Sequence, residues 1–180
     1  MWRARRYVGR VGPRRAVLWI VLFATLAAGG GGLLSCGGGR GEPARPGATL
    51  GGRVTRIVDG DTIHVRIGER DERVRYIGVD TPETHKPGTP VQCFGRAASA
   101  FNARLLAGRG VRLRTDAEAR DRYGRLLAYV YRDELLVNAE LIRQGYGKPL
   151  EIAPNLAHAV ELRRLASGAR RAHRGLWSRC

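Results

Sequence analysis

Residues 54–79 read VTRIVDGDTIHVRIGERDERVRYIGV, and this stretch decides the fold class. Three short runs of β-branched and aromatic residues follow one another: Val54, Ile57 and Val58; then Ile63, Val65 and Ile67; then Val74, Tyr76, Ile77 and Val79. Asp59-Gly60-Asp61 separates the first two runs, and Gly68 to Asp71 separates the second and third. Acidic and glycine residues in those positions are turn formers, so the stretch predicts three consecutive short strands.

Outward from these strands the period changes. Phe94 to Leu106 carries Ala97, Ala98, Phe101 and Leu105 at helical spacing and is closed by Gly108 and Gly110. Val111 to Thr115 and Leu126 to Tyr131 alternate as strands again. Asn138 to Gln144 predicts a short helix stopped by Gly145. Asn155 to Ala172 predicts a longer one, with Leu156, Val160, Leu162 and Leu165 available to its buried side. Five short strands interspersed with helices describe an α+β chain built on a small five-stranded OB-type β-barrel. No internal repeat is present.

The 180 residues hold 32 Lys+Arg against 16 Asp+Glu, a formal net charge of +16, and only two of the basic residues are lysines. An arginine excess points to polyanionic partners, because the guanidinium fork matches phosphate geometry. An arginine-favouring codon composition accounts for surface arginines equally well, so charge alone decides nothing. At 43% apolar and 27% charged, the composition excludes a wholly disordered chain.

The charge is unevenly spread. Residues 1–15 carry six arginines and no acid, and Ala16 to Ala28 is almost unbroken apolar sequence ahead of Gly29–Gly32 and Leu33-Leu34-Ser35-Cys36. A basic start, a short apolar run and a small-residue exit predict an export signal or N-terminal membrane anchor over residues 1–35. Leu33-Leu34-Ser35-Cys36 is similar to a bacterial lipobox, which would make Cys36 a lipidation site. An uncleaved anchor and plain secretion are the other two readings, and all three put the remainder outside the cytoplasm. Residues 36–49, rich in Gly, Pro, Arg and Ala, predict a flexible tether. Residues 50–180 then form the domain, with 24 basic and 15 acidic residues, a net +9.

Three clusters in that domain carry chemistry. Asp59-Gly60-Asp61-Thr62 lies at a strand-to-strand turn; Arg75 to Glu83 leaves a strand for a loop; Asp121-Arg122-Tyr123-Gly124-Arg125 precedes a strand. Singly, each is an ordinary turn or solvated face. Together they offer hard oxygen ligands for Ca²⁺ or Mg²⁺, a spare carboxylate and two arginines, which is what phosphodiester cleavage requires.

With these motifs in hand, residues 50–180 resemble the staphylococcal nuclease (thermonuclease) family over nearly their whole length. The resemblance runs through Val58 to Thr62, Arg75, Val79 to Thr84, Asp121 to Tyr129, Val137 to Gly145 and Gly175 to Ser178, in order. It implies a five-stranded OB barrel with three helices. The activity it implies is Ca²⁺-dependent hydrolysis of DNA and RNA on the 5′ side of the phosphodiester, leaving 3′-phosphorylated products. A monomer with one Ca²⁺ per domain is expected. Position by position, Asp61 and Asp80 fall on the carboxylate metal ligands and Thr81 on a backbone carbonyl ligand. Glu83 falls on the general base, Arg75 and Arg125 on the phosphate clamp. Asp59 falls beside the metal pocket, and Arg122 and Tyr123 fall near the nucleotide phosphate.

The family's type member has two tyrosines that pack on the bound nucleotide; Lys148 to Pro154 holds no aromatic residue here. Cys93 and Cys180 are also additions. With Cys36 lipidated, they form an even pair that an oxidising compartment would join as a disulfide. His64, His85, His158 and His173 lack ligand spacing and read as surface residues. The competing function is a non-catalytic nucleic-acid-binding OB module tethered at the cell surface. Such a module has no need of the complete set Asp61, Arg75, Asp80, Glu83 and Arg125. A purely structural lipoprotein leaves the same set unexplained.

Overall fold

The computed structural model describes residues 44–84, 88 and 90–180. The expected export segment 1–35, Cys36, tether residues 37–43 and His85 lie outside the described residues. In chain order the elements are β1 (Thr49–Ile57), β2 (Thr62–Ile67), β3 (Arg70–Tyr76), β4 (Val79–Asp80), α1 (Gly95–Leu106) and β5 (Gly110–Arg114). There follow β6 (Leu126–Arg132), β7 (Leu135–Leu136), α2 (Val137–Arg143), β8 (Lys148–Pro149), α3 (Ala159–Arg171) and α4 (Leu176–Arg179).

β3, β2, β1, β5 and β6 are antiparallel neighbours in that order, and a parallel pairing of β3 with β6 closes them into a barrel. Closure follows from the alternation seen in the sequence. Val54, Ile63, Val65, Val74, Leu113, Leu126 and Val130 all point inward and are buried. Burying each such side chain contributes about 1.5–3 kcal/mol, and closing the sheet leaves no barrel strand with an unpaired edge. α2 adds Leu141 and Ile142 to the same core, and α3 adds Leu162 and Ala166. β4 pairs with β8 in a separate two-stranded ladder beside the barrel mouth.

Three boundaries differ from expectation, each for a local reason. The third run breaks at Gly78, where φ is +77° and a Cβ would meet Leu162 Cδ1 at 2.5 Å. The chain turns there so that α3 can pack against it. The last long helix starts at Ala159 rather than Asn155. Asn155 instead spends its side chain on the Glu118 backbone, accepting from its N–H at 2.8 Å and donating to its carbonyl at 3.0 Å. Consequently Leu156 and Val160 are 42% and 73% exposed, and the buried side of α3 is Leu162, Ala166 and Ala169. At the other end the folded unit begins before residue 50. Thr49 is already in β1, Ala48 N–H donates to Thr115 Oγ1 at 2.8 Å, and Gly47 N–H donates to the Asp116 carbonyl.

Cys93, just before α1, is joined by a disulfide to Cys180 at the end of α4, with Cα atoms 6.0 Å apart. Among the described residues no helix is long and apolar enough to cross a membrane.

Candidate active site

The turn between β1 and β2 is held by its own first acid. Asp59 accepts from the Asp61 N–H at 3.0 Å, and the Val58 and Asp59 N–H groups both donate to the Thr62 carbonyl. Gly60 is required there: a Cβ would lie 2.7 Å from Thr81 Oγ1, so the turn sits directly against Thr81. Beneath it, buried Asn102 on α1 donates to the Asp59 carbonyl at 3.0 Å and accepts from Tyr76 Oη at 2.9 Å. Helix, barrel strand and turn are thereby locked together.

Asp61 is buried, and each of its oxygens is used. Oδ2 accepts from the Thr81 N–H at 2.7 Å and from Thr81 Oγ1 at 2.9 Å; Oδ1 lies 3.0 Å from Arg75 Nη1. Burial pushes the Asp61 carboxyl above the usual carboxylate range, Arg75 opposes the rise, and the neighbouring Asp59 adds to it. Asp80 is also raised, by partial burial first, with Arg75 opposing and Asp61 adding. Arg75 sits between the two acids. Its Nη1 donates to the Val79 carbonyl at 2.7 Å and its Nη2 to Asp80 Oδ1 at 3.3 Å.

Arg125 is aimed by Asp121, the first residue of its own motif. Asp121 Oδ2 accepts from Arg125 Nε at 2.7 Å, and Oδ1 accepts from the Arg125 backbone N–H at 2.9 Å. Burial raises the Asp121 carboxyl, but these bonds outweigh it and hold the group below its ordinary value. Arg122 and Arg125 lie over the Tyr123 ring, 4.8 and 5.5 Å from its centroid, and Tyr123 itself is 67% exposed. Glu83 is fixed through its backbone, donating its N–H to Gln92 Oε1 at 2.9 Å and accepting from the Gln92 N–H at 3.0 Å. Among the described residues the half-buried Glu83 carboxylate has no hydrogen bond or ion pair.

A cavity of about 250 Å³ gathers Asp59, Asp61, Asp80, Thr81 and Glu83 with Arg75 and Arg125. An adjoining cleft of about 440 Å³ is also lined by both arginines and adds Arg122, Tyr123, Leu150 and Ile152. Cys93 and Cys180 stand apart in their disulfide, and no described histidine lines the 250 Å³ cavity. Two residues, Asn102 and Arg73, and one pairing, Asp121 with Arg125, were not singled out from sequence. A buried polar residue in an Ala-rich helix, as Asn102 is, gives no hint of its partner. Asp121 as the clamp on Arg125 was visible as an i,i+4 acid–base pair. Arg73, which also lines the cavity, repeats the outward position two residues before Arg75.

The donor set fits a hard divalent cation. Two carboxylates raised by burial first, Asp61 further by Asp59 and Asp80 further by Asp61, share the Arg75 guanidinium, and the threonine beside them brings further oxygen. Among the described residues no group of three His, Cys, Asp or Glu is placed to hold a metal ion by itself. Ca²⁺, with six to eight oxygen ligands, tolerates such a partial set when water and substrate oxygens complete it.

A family model described as staphylococcal nuclease homologue matches residues 73–179. The thermonuclease of Staphylococcus intermedius is 42% identical over 126 residues, covering 70% of this chain and 75% of its own length. That of Staphylococcus hyicus is 40% identical with the same coverage. Endonuclease YncB of Bacillus subtilis is 38% identical over 126 residues, which span 69% of this chain and 60% of the relative.

Proposed function

Because the chain belongs to the staphylococcal nuclease family and is a phosphodiester-hydrolysing enzyme, we propose that the 250 Å³ cavity is its catalytic centre. The reaction is Ca²⁺-dependent cleavage of DNA and RNA on the 5′ side of the phosphate. The observation that carries this reading is the Glu83 carboxylate, unpaired among the described residues, in one small cavity with Asp61, Asp80, Arg75 and Arg125. A binding-only module has no use for a half-buried carboxylate beside the phosphate it is meant to attract.

In this mechanism Glu83 accepts a proton from water as the water oxygen bonds to phosphorus, and the bond from phosphorus to the 5′ oxygen breaks. The departing oxygen takes a proton from solvent, leaving a 5′-hydroxyl and a 3′-phosphate. Arg75 and Arg125 donate to the phosphate oxygens, and charge-assisted bonds of this kind strengthen as negative charge builds there. Asp121 keeps the Arg125 fork aimed, while Asp59 holds the turn that carries Asp61. Asp61, Asp80 and the Thr81 carbonyl would hold a Ca²⁺ ion, which when bound supplies charge neutralisation for the attacked phosphate.

Arg122 and Tyr123 then contact the nucleotide at the cleft mouth. Leu150 and Ile152 stand in the neighbouring wall and offer an aliphatic surface in place of an aromatic stack. The protein acts as a monomer outside the cytoplasm, exported by residues 1–35 and held at the membrane through lipidated Cys36. The Cys93–Cys180 bond fits that compartment. Degradation of plasmid and of total RNA by the purified protein in Ca²⁺ and in excess chelator tests the central step. Cleavage in Ca²⁺ alone is expected, and undiminished cleavage in chelator refutes it.

A further inference from the structure

Arg73 lines the catalytic cavity yet has no hydrogen bond or ion pair among the described residues, and it is exposed. Strand register extends it into a row. On the outer barrel face Arg73 of β3 lies opposite His64 of β2, which lies opposite Arg56 of β1. The next outward row pairs Arg53 of β1 with Arg66 of β2, and Arg66 with Asp71 of β3. Side chains two residues apart on a strand share a face, so Arg73 continues the outward position of Arg75.

The ring of His64 organises this row. Its Nε2 lies 2.7 Å from Arg56 Nη2 and its Nδ1 lies 2.6 Å from Asp71 Oδ2. A guanidinium can only donate, so Nε2 accepts and the Nδ1–H donates to Asp71. The ring thus fixes Arg56 while Asp71 is occupied by His64 and by Thr55 Oγ1 at 2.8 Å. Four exposed arginines, Arg53, Arg56, Arg66 and Arg73, therefore share this face with one carboxylate, Asp71, which already accepts two hydrogen bonds. Arg53 reaches back to the Gly108 carbonyl at 2.7 Å, Arg56 spends one of its five donors on the His64 ring and Arg66 lies opposite Asp71, so Arg73 is unengaged among the described residues while Arg56 and Arg66 keep donors to spare.

From these placements we propose that the outer face of β1–β3 is a track for the sugar–phosphate backbone of single-stranded substrate. The strand leaves the cleaved phosphate past Arg73 and runs across β2 toward Arg56 and Arg66. The proposal rests on the nuclease reading of the adjoining cavity and deepens it: the substrate is a polymer held beyond the scissile phosphate. Charge complementarity and continuity with that cavity both support it. Arg73 and Arg56 are two strand spacings apart, roughly 9–10 Å, a span that reaches past a single phosphate. The face carries no Phe, Tyr or Trp in these rows and the His64 ring is tied to Arg56 and Asp71, so the contact is sequence-independent.

The test separates binding from cleavage. In excess chelator, fluorescence anisotropy measures binding of labelled oligothymidylates of about 4 and about 20 nucleotides to the whole protein, over a range of salt. Four proteins are compared: wild type, Arg73→Gln, Arg56→Gln/Arg73→Gln, and a control of equal charge loss on α3, Arg164→Gln/Arg171→Gln. The wild type should bind the longer strand more tightly. The double variant should lose on the order of tenfold of that affinity. Its salt slope should shrink by about 0.7 per lost phosphate contact, with Arg73→Gln in between and the α3 control close to wild type. Equal loss in the α3 control, no loss in Arg56→Gln/Arg73→Gln, or no length dependence in the wild type overturns the track. Cleavage is scored separately with Ca²⁺. A wild type that never cleaves but shows the length dependence refutes the nuclease reading and leaves the track standing.

Discussion

Two polar clusters occupy this barrel, and the larger one is the wrong place to look for chemistry. Around Asp116, Tyr129 and His158 lies an open cavity of about 560 Å³, more than twice the volume of the 250 Å³ cavity beside Asp61. Apart from the Arg114 guanidinium on its lining, its acid, tyrosine and histidine are spent on one another and on their neighbours. Asp116 accepts from Tyr129 Oη and from the Ala157 N–H, both at 3.1 Å. His158 Nδ1 faces Glu161 Oε2 at 2.9 Å, and its backbone N–H donates to Tyr129 Oη. Such a network rigidifies the junction between barrel and α3. The smaller cavity is built the other way. Its supports are satisfied, Asp61 by Thr81 and Arg125 by Asp121, while among the described residues the Glu83 carboxylate and the Arg73 guanidinium are left over. Reactive capacity is what remains after the folding contacts are counted, and it does not scale with volume.

The sharpest way to break this contrast is to remove the leftover Glu83 carboxylate and, separately, the two arginines held beside it. Glu83→Gln, Arg75→Ala and Arg125→Ala should each lower kcat by about 10²–10³, the usual cost of one transition-state donor or base. Asp116→Asn should leave kcat within about twofold, and its effect should appear as a stability loss of about 1 kcal/mol in denaturant melts. Comparable kcat losses at both sites would erase the distinction.

A second prediction concerns what keeps Glu83 in place. Its loop is bracketed by the β4 exit and by Gln92, next to the Cys93–Cys180 bond, whose partners are 87 positions apart. Cys93→Ser/Cys180→Ser should destabilise the protein by roughly 2–4 kcal/mol. Residual activity should fall more steeply with temperature than in wild type. An unchanged Tm shows that the link constrains nothing.

Removing the buried polar support should come next in size. Asn102→Ala orphans Tyr76 Oη and the Asp59 carbonyl, a cost of about 1–3 kcal/mol. Because the Asp59 turn carries Asp61, half-maximal activity should also require more Ca²⁺. Lower stability with an unaltered Ca²⁺ requirement limits Asn102 to a role in folding. The smallest effect is expected at the cleft wall, where Ile152→Tyr offers a base a stacking partner worth up to about 1–3 kcal/mol. KM should drop with kcat unchanged, and an unchanged KM places the base elsewhere.

Much of the barrel was legible because strand alternation is a local signal: Ile63, Val65, Val74 and Tyr76 are buried as their spacing requires. The motif acids and arginines were legible too, though their roles came from family resemblance and their spacing alone named none. What escaped was decided by contacts across the chain. Asn155 looked like helix because nothing nearby reveals that Glu118 claims its side chain. Leu156 and Val160 looked buried because apolar residues at helical spacing normally are. Arg73 looked like any exposed strand arginine; the pairing of β3 with β2, which sets Arg75 opposite Thr62 and Arg73 opposite His64, is what brings it to the rim of the cavity.

The central claim is that the Glu83 carboxylate activates water for attack at a phosphate held by Arg75 and Arg125. It is tested most directly by the ends of the products. A 5′-labelled single-stranded DNA is cleaved by the purified wild type and by Glu83→Gln at saturating Ca²⁺, and the new termini are typed by mass. The account predicts 3′-phosphate and 5′-hydroxyl ends from the wild type, and the same ends formed about 10²–10³ times more slowly by Glu83→Gln. Fragments bearing 5′-phosphates, or a Glu83→Gln rate equal to wild type, would contradict it.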